Sequence, residues 1–307
     1  MISEYKLSNG QKWIDVGNVN SKTIEELEEK YEVPNKFLKH INDIHTRPQI
    51  LYDLESKIWL LIIRRVKNGK HKGLFQTWPV AFIFQSSAII VVRAENGFGR
   101  DDIVQKVTDF LNQYNLKTMA MVVAGMLLQI ADEFLTVLDE IDDEREKLEK
   151  FENHPNDKKI NQIMQLDKSV LYLHTAANNN ETIVKELQLM SKDKDDSFKL
   201  TSRESEHIEE AVMALEQVGQ TAEMADGIMD RVTNAYNNVL NNNLNKTMWF
   251  LTVWSIVLMI PTIVSGFYGM NVKLPWAENL YSWIWTVFLS FVLIGAFLWI
   301  LARYRNK

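Results

Sequence analysis

Twenty consecutive uncharged residues, 248–267, constrain this chain more than any other feature. At 1.5 Å rise per residue, a helix of that length spans about 30 Å, roughly the thickness of the hydrocarbon core of a bilayer. A second uncharged stretch, 281–302, follows after a short loop and has tryptophans near both ends. Tryptophan is enriched where spanning helices cross the membrane–water interface. The sequence therefore predicts two transmembrane helices, separated by a loop over 268–280.

One face of the first span differs from the others. Residues at alternating gaps of four and three fall on one side of a continuous helix. In this chain they are all uncharged, and none is Leu, Ile, Val or aromatic. We call them the polar stripe: Asn234, Asn238, Asn241, Asn245, Met248, Thr252, Ser255, Met259, Thr262, Gly266 and Gly269.

The polar stripe has two interpretations. Small and hydroxyl residues are common where membrane helices pack closely. Alternatively, the stripe lines a water-filled path of neutral oxygen atoms that methionines narrow. Its continuation as four asparagines below the membrane, where packing in lipid does not apply, favours the path. Because one helix cannot enclose a path, this interpretation predicts a closed, symmetric homo-oligomer.

Basic residues flank the two spans on the same side. Lys246 precedes the first span, and the tail 303–307 carries three basic residues, whereas the loop between the spans has only Lys273 and Glu278. The excess of basic residues predicts that both termini lie in the cytosol and the loop lies outside.

Composition limits the functions open to the rest of the chain. A net charge of −6 argues against a general nucleic-acid binder. Because cysteine is absent, any metal ion must be bound by oxygen atoms or by the six histidines. The glycine-rich segment 96–100 lacks the Lys-Ser/Thr pair of a phosphate loop, and we find no nucleophile–base pair. We therefore predict neither a nucleotide partner nor an enzyme.

The N-terminus has no apolar run typical of a secretory signal, so we expect the N-terminal part to stay in the cytosol.

Residues 1–120 have the pattern of a mixed α/β domain. Residues 12–16 are a strand candidate, Thr23 has the position of a helix N-cap, and a second short helix is predicted over 35–44. Four β-branched or aromatic runs predict mostly antiparallel strands, over 49–52, 58–66, 75–84 and 88–92. An Asn-Gly pair in the turn 67–70 favours a hairpin.

Helical periodicity dominates from residue 101 onward. The helices are predicted over 101–114, 117–153 and 156–190. The last two form a helical hairpin within 121–200. Ten carboxylates lie between Asp132 and Glu152. The simpler interpretation is a solvated helix face, and the alternative is a diffuse acidic ring that concentrates cations near a pore mouth.

A stalk helix is predicted over 201–247, leading into the first span. Thr201 and Glu204 form a capping box at its start. Apolar residues then recur at three- and four-residue gaps, which is typical of a packing seam. If unbroken to residue 267, this helix is about 100 Å long.

The segment Tyr268-Gly269-Met270-Asn271 lies at the outer end of the first span, after a long acidic soluble part. In this setting the chain resembles the CorA-type magnesium transporters, and His45-Thr46-Arg47-Pro48 is similar to an element of their N-terminal domain. The resemblance implies a membrane α-helical protein with a soluble α/β N-terminal domain. It also implies a funnel-shaped homopentamer whose pore is lined by the first span, with the tetrapeptide as selectivity filter.

The polar stripe suits the chemistry of Mg²⁺, which is small and hard and gives up its water reluctantly. The amide of Asn271 and the carbonyls near Gly269 would hold the hydration shell at the outer mouth, since glycine allows close backbone approach. Met248 and Met259 would narrow the path and exclude water. Co²⁺ and Ni²⁺ are further candidate ions.

The resemblance also implies that cytosolic Mg²⁺, bound between subunits, holds the channel closed. Glu206, Glu209 and Glu210 lie in about the right place on the stalk. The hairpin that would supply a partner carboxylate instead carries four basic or titratable residues, Lys67, Lys70, His71 and Lys72. We interpret His207 as a stalk surface residue rather than a ligand.

Two other functions remain open. One is transport of zinc or another divalent cation by a related branch of the same superfamily, although Met270 argues against it. The other is a membrane-anchored scaffold in which the polar stripe only packs helices.

Overall fold

The computed structural model describes residues 2–17, 19–67, 73–93, 102–149, 157–192, 200–270 and 281–305. The chain divides into two compact units, Met1–Asn234 and Ala235–Lys307. The strands in the described segments are β1 Ile2–Lys6, β2 Lys12–Gly17, β3 Gln49–Asp53, β4 Ile58–Val66, β5 Thr77–Phe84 and β6 Ala88–Arg93. The helices are α1 Ser21–Glu29, α2 Asn35–Asn42, α3 Ile103–Tyr114, α4 Met119–Glu149, α5 Asp157–Lys192, α6 Ser202–Tyr268 and α7 Ser282–Arg305.

The strands of the first unit form one mixed sheet in the order β1-β2-β6-β5-β4-β3. The mixed α/β class is confirmed, and the antiparallel β3–β4–β5–β6 meander is as predicted. The strand candidate over 12–16 is confirmed as β2, whereas β1 was not predicted, so the described sheet has six strands and not only the four of the predicted antiparallel set. β1 adds an antiparallel edge to β2, and β2 pairs with β6 in parallel. The predicted Asn-Gly turn lies outside the described residues, as does the segment 96–100.

Period-two alternation along β4 shows how the sheet is covered on both faces. Ile58, Leu60 and Ile62 join a core that includes Leu27 of α1 and Phe37 of α2. The alternate residues of β4 point to the other face, which packs against α4 and α5. Because both faces are buried, β4 is almost continuously apolar.

Helix α1 begins three residues earlier than its sequence predicts. The N-cap is Asn20, whose side-chain oxygen accepts a hydrogen bond from the backbone N–H of Thr23 at 2.9 Å. The Thr23 hydroxyl in turn accepts from the Asn20 N–H at 2.7 Å. Thr23 is therefore the third helical residue of a capping box, and its assignment as N-cap is wrong.

Two buried ion pairs join distant parts of the first unit. Asp15 of β2 accepts two hydrogen bonds from the Arg93 guanidinium of β6, at 2.9 and 2.7 Å, and both residues are 5% exposed. Arg65 of β4 donates to Glu133 of α4 at 2.6 and 3.1 Å. Glu133 belongs to the acidic stretch of α4, so that stretch is not solvated throughout.

Helix α6 begins at the predicted capping box. The Glu204 carboxylate accepts hydrogen bonds from the Thr201 N–H at 2.8 Å and the Thr201 hydroxyl at 2.7 Å. Its other oxygen accepts from the Thr118 hydroxyl, next to the start of α4, at 2.5 Å. Burial opposes ionisation of Glu204, but these hydrogen bonds outweigh it and lower the pKa of the carboxyl below its usual 4.5.

We expect Glu204→Gln to lower the unfolding midpoint of the full-length protein in detergent at neutral pH. The change removes charge-assisted hydrogen bonds worth about 1–3 kcal/mol in total. A lowered pKa stabilises the fold above 4.5, and this contribution disappears as pH falls through the folded-state pKa. The difference between variant and parent should therefore shrink at about pH 4. Glu223→Gln, an exposed position on the same helix, is the matched control. A difference that persists in acid would contradict this role.

Three described helices are long and apolar enough to span a membrane: α4, α6 and α7. The apolar window of α4 is 61% buried, so its hydropathy belongs to the core of the first unit. The windows in α6 and α7 are only 6% buried. Large apolar side chains such as Trp254 and Phe291 are exposed there, as expected of helices that lipid or other copies of the chain cover.

Candidate ion pathway

The polar stripe is solvent-accessible along its whole length. Every one of its members is exposed, from Asn234 to Gly269, and the methionines Met248 and Met259 are 65% and 55% exposed. α6 is one helix of 67 residues that contains Pro261. The members of the stripe therefore lie on one side of a single helix, as their spacing predicts.

The second span covers a different side of α6. Val264 is buried at 7% exposure, and the residues one, two and three turns before it, Ile260, Val257 and Val253, are half-buried. At 100° per residue these positions lie roughly 140° around the helix from the stripe. Ser290 of α7 is likewise buried. Packing against α7 therefore does not account for the stripe.

Thr262 is the one stripe member that also touches the space between the spans. It lines a cavity of about 350 Å³ together with Pro261 and Ser265 of α6 and Ser290 of α7. Thr262 remains exposed as a residue, so it lies at the border between the stripe and the packed side.

The hydroxyls of the stripe are oriented by their own helix. Thr252 donates its O–H to the carbonyl of Met248 at 2.9 Å, and Thr262 donates to the carbonyl of Leu258 at 3.2 Å. Because its proton is donated to a carbonyl of the same helix, each of these hydroxyl oxygens can only accept hydrogen bonds from groups on the exposed side of α6. Such oxygens suit the water shell of a cation, whose hydrogens point outward.

Helix α6 ends at the predicted filter. The Gly269 N–H donates to the Ser265 carbonyl at 2.9 Å, and the Met270 N–H donates to the Phe267 carbonyl at 3.3 Å. A Cβ on Gly269 would lie 3.3 Å from the Ser265 oxygen, a tight approach that favours glycine. Tyr268 is half-buried and Gly269 and Met270 are exposed. Asn271 lies outside the described residues.

The three carboxylates predicted to bind a regulatory ion, Glu206, Glu209 and Glu210, are exposed on the first turns of α6. Among the described residues of one chain, no three acidic or histidine side chains form a group that could hold a metal ion.

His207 is less accessible than its sequence context suggests. Its side chain is 13% exposed, and its ring lies 4.3 Å from that of Tyr114 and 5.7 Å from that of Phe110. The Nδ1 atom lies 3.1 Å from a carboxylate oxygen of Glu210. His207 thus joins the start of α6 to α3 and is not a free surface residue.

The acidic stretch of α4 is partly neutralised. Arg145 contacts Asp142 at 2.7 Å and Glu149 at 2.9 Å. Five further carboxylates on this helix are exposed: Asp132, Asp139, Glu140, Asp143 and Glu146. Both the solvated-face and the acidic-ring interpretations remain compatible with this pattern.

A family model described as CorA-like Mg²⁺ transporter protein matches residues 8–303. The chain belongs to this family. It is accordingly a membrane protein and a divalent-cation transporter of the CorA type. The match extends from β2 into α7, so it includes strands β2 to β6, the polar stripe and both candidate spans.

Relatives agree with this assignment. The cobalt/magnesium transport protein CorA of Thermotoga maritima is 19% identical over 310 residues, covering 100% of this chain and 85% of that protein. The complete CorA magnesium transporter of Methanocaldococcus jannaschii has a TM-score of 0.77 at 17% identity, covering 98% of this chain and 97% of the other. The full-length CmaX protein has a TM-score of 0.69 at 16% identity, with 97% and 89% covered. These structural likenesses establish a shared fold.

Proposed function

We propose that this chain forms a homopentameric channel that takes up Mg²⁺ along the polar stripe, driven by the membrane potential. The observation that carries the proposal is that every stripe member is exposed and that all of them except Thr262, at the border, lie away from the cavity between α6 and α7. Five copies arranged around an axis would turn these faces toward each other and enclose a path. The likeness to the M. jannaschii transporter over 98% of the chain supports the subunit fold on which this proposal rests.

The path is neutral, which suits passage of a hydrated cation. Asn, Thr and Ser oxygens accept hydrogen bonds from coordinated water without holding the ion as tightly as carboxylates would. The two methionines introduce apolar constrictions. In the proposed orientation both termini are cytosolic, and Asn271 and the Gly269 carbonyl meet the ion at the outer mouth.

The membrane potential supplies the driving force. One charge crossing 100 mV gains about 2.3 kcal/mol, so a dication gains about 4.6 kcal/mol. Uptake driven in this way requires no nucleotide hydrolysis. We further propose that intracellular Mg²⁺ closes the channel by binding at Glu206, Glu209 and Glu210 together with ligands of a neighbouring subunit.

Flux into vesicles containing the purified protein tests this function. We expect Mg²⁺ entry, with Co²⁺ as a second permeant ion, that increases when the interior is made negative. Hexaammine cobalt, which mimics hydrated Mg²⁺, should block entry. A clear preference for Zn²⁺ without this block would favour the zinc-transporting branch instead. No flux of any of these ions would favour the scaffold.

A further inference from the structure

A second potential binding site lies in the first unit, away from the ion pathway. Three aromatic residues stand directly opposite each other on adjacent strands: Tyr52 of β3 pairs with Trp59 of β4, and Trp59 pairs with Phe84 of β5. The rings of Tyr52 and Trp59 are 4.4 Å apart. We call these three residues the aromatic wall.

The aromatic wall is not covered as the rest of its sheet face is. Further along β4, Leu61 and Ile63 point to the same face and are 1% and 0% exposed. By contrast, Tyr52 is 39% exposed, and Trp59 and Phe84 are half-buried. Aromatic side chains left accessible in register across three strands provide a flat apolar surface.

A cavity of about 850 Å³ opens onto this wall. The first turn of α4, the C-terminal part of α5 and the first turn of α6 enclose it, through residues that include Met119, Leu187 and Ile208. Its volume falls within the roughly 300–1,000 Å³ of small-molecule sites, and it combines apolar walls with a few polar groups, as such sites do. A cavity of this size, partly open to solvent, suits a small molecule.

One of the two charged side chains of the cavity is available to a ligand. Two acidic or basic residues line it, Lys57 and Glu204. The Glu204 carboxylate is already occupied by the hydrogen bonds from Thr118 and Thr201. Lys57 is exposed and has no ion-pair partner among the described residues. The first turns of α4 and α6, which carry the positive ends of helix dipoles, also border the cavity.

The backbone fixes the position of Lys57. Its φ is 56°, a left-handed conformation that glycine adopts more readily. The hairpin that contains it is held by Asp53, which accepts hydrogen bonds from the N–H and the hydroxyl of Ser56. A lysine at this position therefore places a cation at the edge of the aromatic wall.

We propose that this cavity binds a small planar aromatic anion, such as an aryl carboxylate, with its ring on Tyr52 and Trp59 and its charge near Lys57. The site is independent of the ion pathway and of the proposed transport function.

Calorimetric titration of the full-length protein in a non-ionic detergent, with a protein-free micelle blank, tests the proposal. The probes are 2-naphthoate and its uncharged counterpart 2-naphthylmethanol. Lys57→Gly removes the cation and relaxes the backbone, so the fold should be kept. We expect it to weaken naphthoate binding about fivefold and to leave naphthylmethanol unchanged.

Tyr52→Ala should weaken both probes about fivefold, because it removes one ring of the wall. Leu54→Ala changes an exposed residue of the same hairpin that does not line the cavity, and it should bind both probes as the parent does. No saturable heat above the blank would overturn the proposal. Affinities that are insensitive to Lys57→Gly and Tyr52→Ala would also overturn it, as would an equal loss in Leu54→Ala.

Discussion

Asn271→Ala is expected to reduce Mg²⁺ uptake more than about a hundredfold while the protein still assembles. In the proposed function the amide at the outer mouth holds the hydration shell of the ion, and each lost hydrogen bond would cost about 1 kcal/mol. In a pentamer the loss is repeated in every subunit, so the effects combine at one site. Uptake by vesicles and the elution volume of the detergent-solubilised protein measure the two properties separately.

Asn242→Ala provides the control for Asn271→Ala. Asn242 is an exposed asparagine of α6 that lies outside the polar stripe. It tests whether loss of an amide anywhere on this helix lowers uptake. Normal uptake by the Asn271 variant, or an equal loss in the Asn242 variant, would refute the role of Asn271 as a filter residue.

Thr252→Leu is expected to reduce uptake at least about tenfold. The change replaces a ring of acceptor oxygens within the span with apolar side chains, which raises the cost of keeping the path hydrated. Helix formation and membrane insertion should be unaffected, because leucine is favourable in both settings. The measurement is the initial rate of Mg²⁺ entry at a fixed inside-negative potential.

Thr247→Leu is a closely matched control for Thr252→Leu. The Thr247 hydroxyl donates to the Asn243 carbonyl at 3.0 Å, just as Thr252 donates to Met248 at 2.9 Å, and both threonines are exposed. The two residues are five positions apart and thus face directions that differ by roughly 140°. Equal uptake by the two variants would show that the stripe does not line the path.

Local patterns were sufficient to predict much of this fold. The length of the two uncharged stretches and the tryptophans near the ends of the second predicted the two spans. The four- and three-residue spacing of the polar stripe predicted that its members share one side of α6. Alternating or continuous apolar runs gave β4 with its observed bounds, Ile58–Val66. The Thr201–Glu204 capping box identified the start of α6 because both partners are three residues apart.

Features that depend on distant pairing were not predicted. β1 has a partly polar sequence and gains its structure from β2, and the parallel pairing of β2 with β6 joins segments about 75 residues apart. Asn180 of α5 illustrates the same limit. Its side chain accepts from the Arg64 N–H at 2.8 Å and donates to the Arg64 carbonyl at 2.6 Å, so it completes the hydrogen bonding of β4 where β3 has ended.

The candidate sites also differ in whether local spacing or the pairing of distant segments brings their residues together. The stripe could be predicted because its members share one helix, whereas the aromatic wall could not, because strand register alone brings Tyr52, Trp59 and Phe84 together. A regulatory site between subunits would include side chains of a neighbouring subunit, and the spacing of residues in one sequence does not predict which side chains these are. Paired aromatics at the ends of three successive predicted strands would have been the available signal for the wall.

Helix α6 is continuous over 67 residues, so the number of residues between two of its positions fixes their angular separation around the helix. Adding a single residue between two members of the polar stripe would turn the later members by about 100° relative to the earlier ones, so that apolar side chains would take the place of asparagine and threonine on that side. Seven added residues, close to two full turns, would restore the alignment to within about 20°. Length changes in this part of the molecule are therefore tolerable only in steps near whole turns, a constraint that loops elsewhere in the chain do not share.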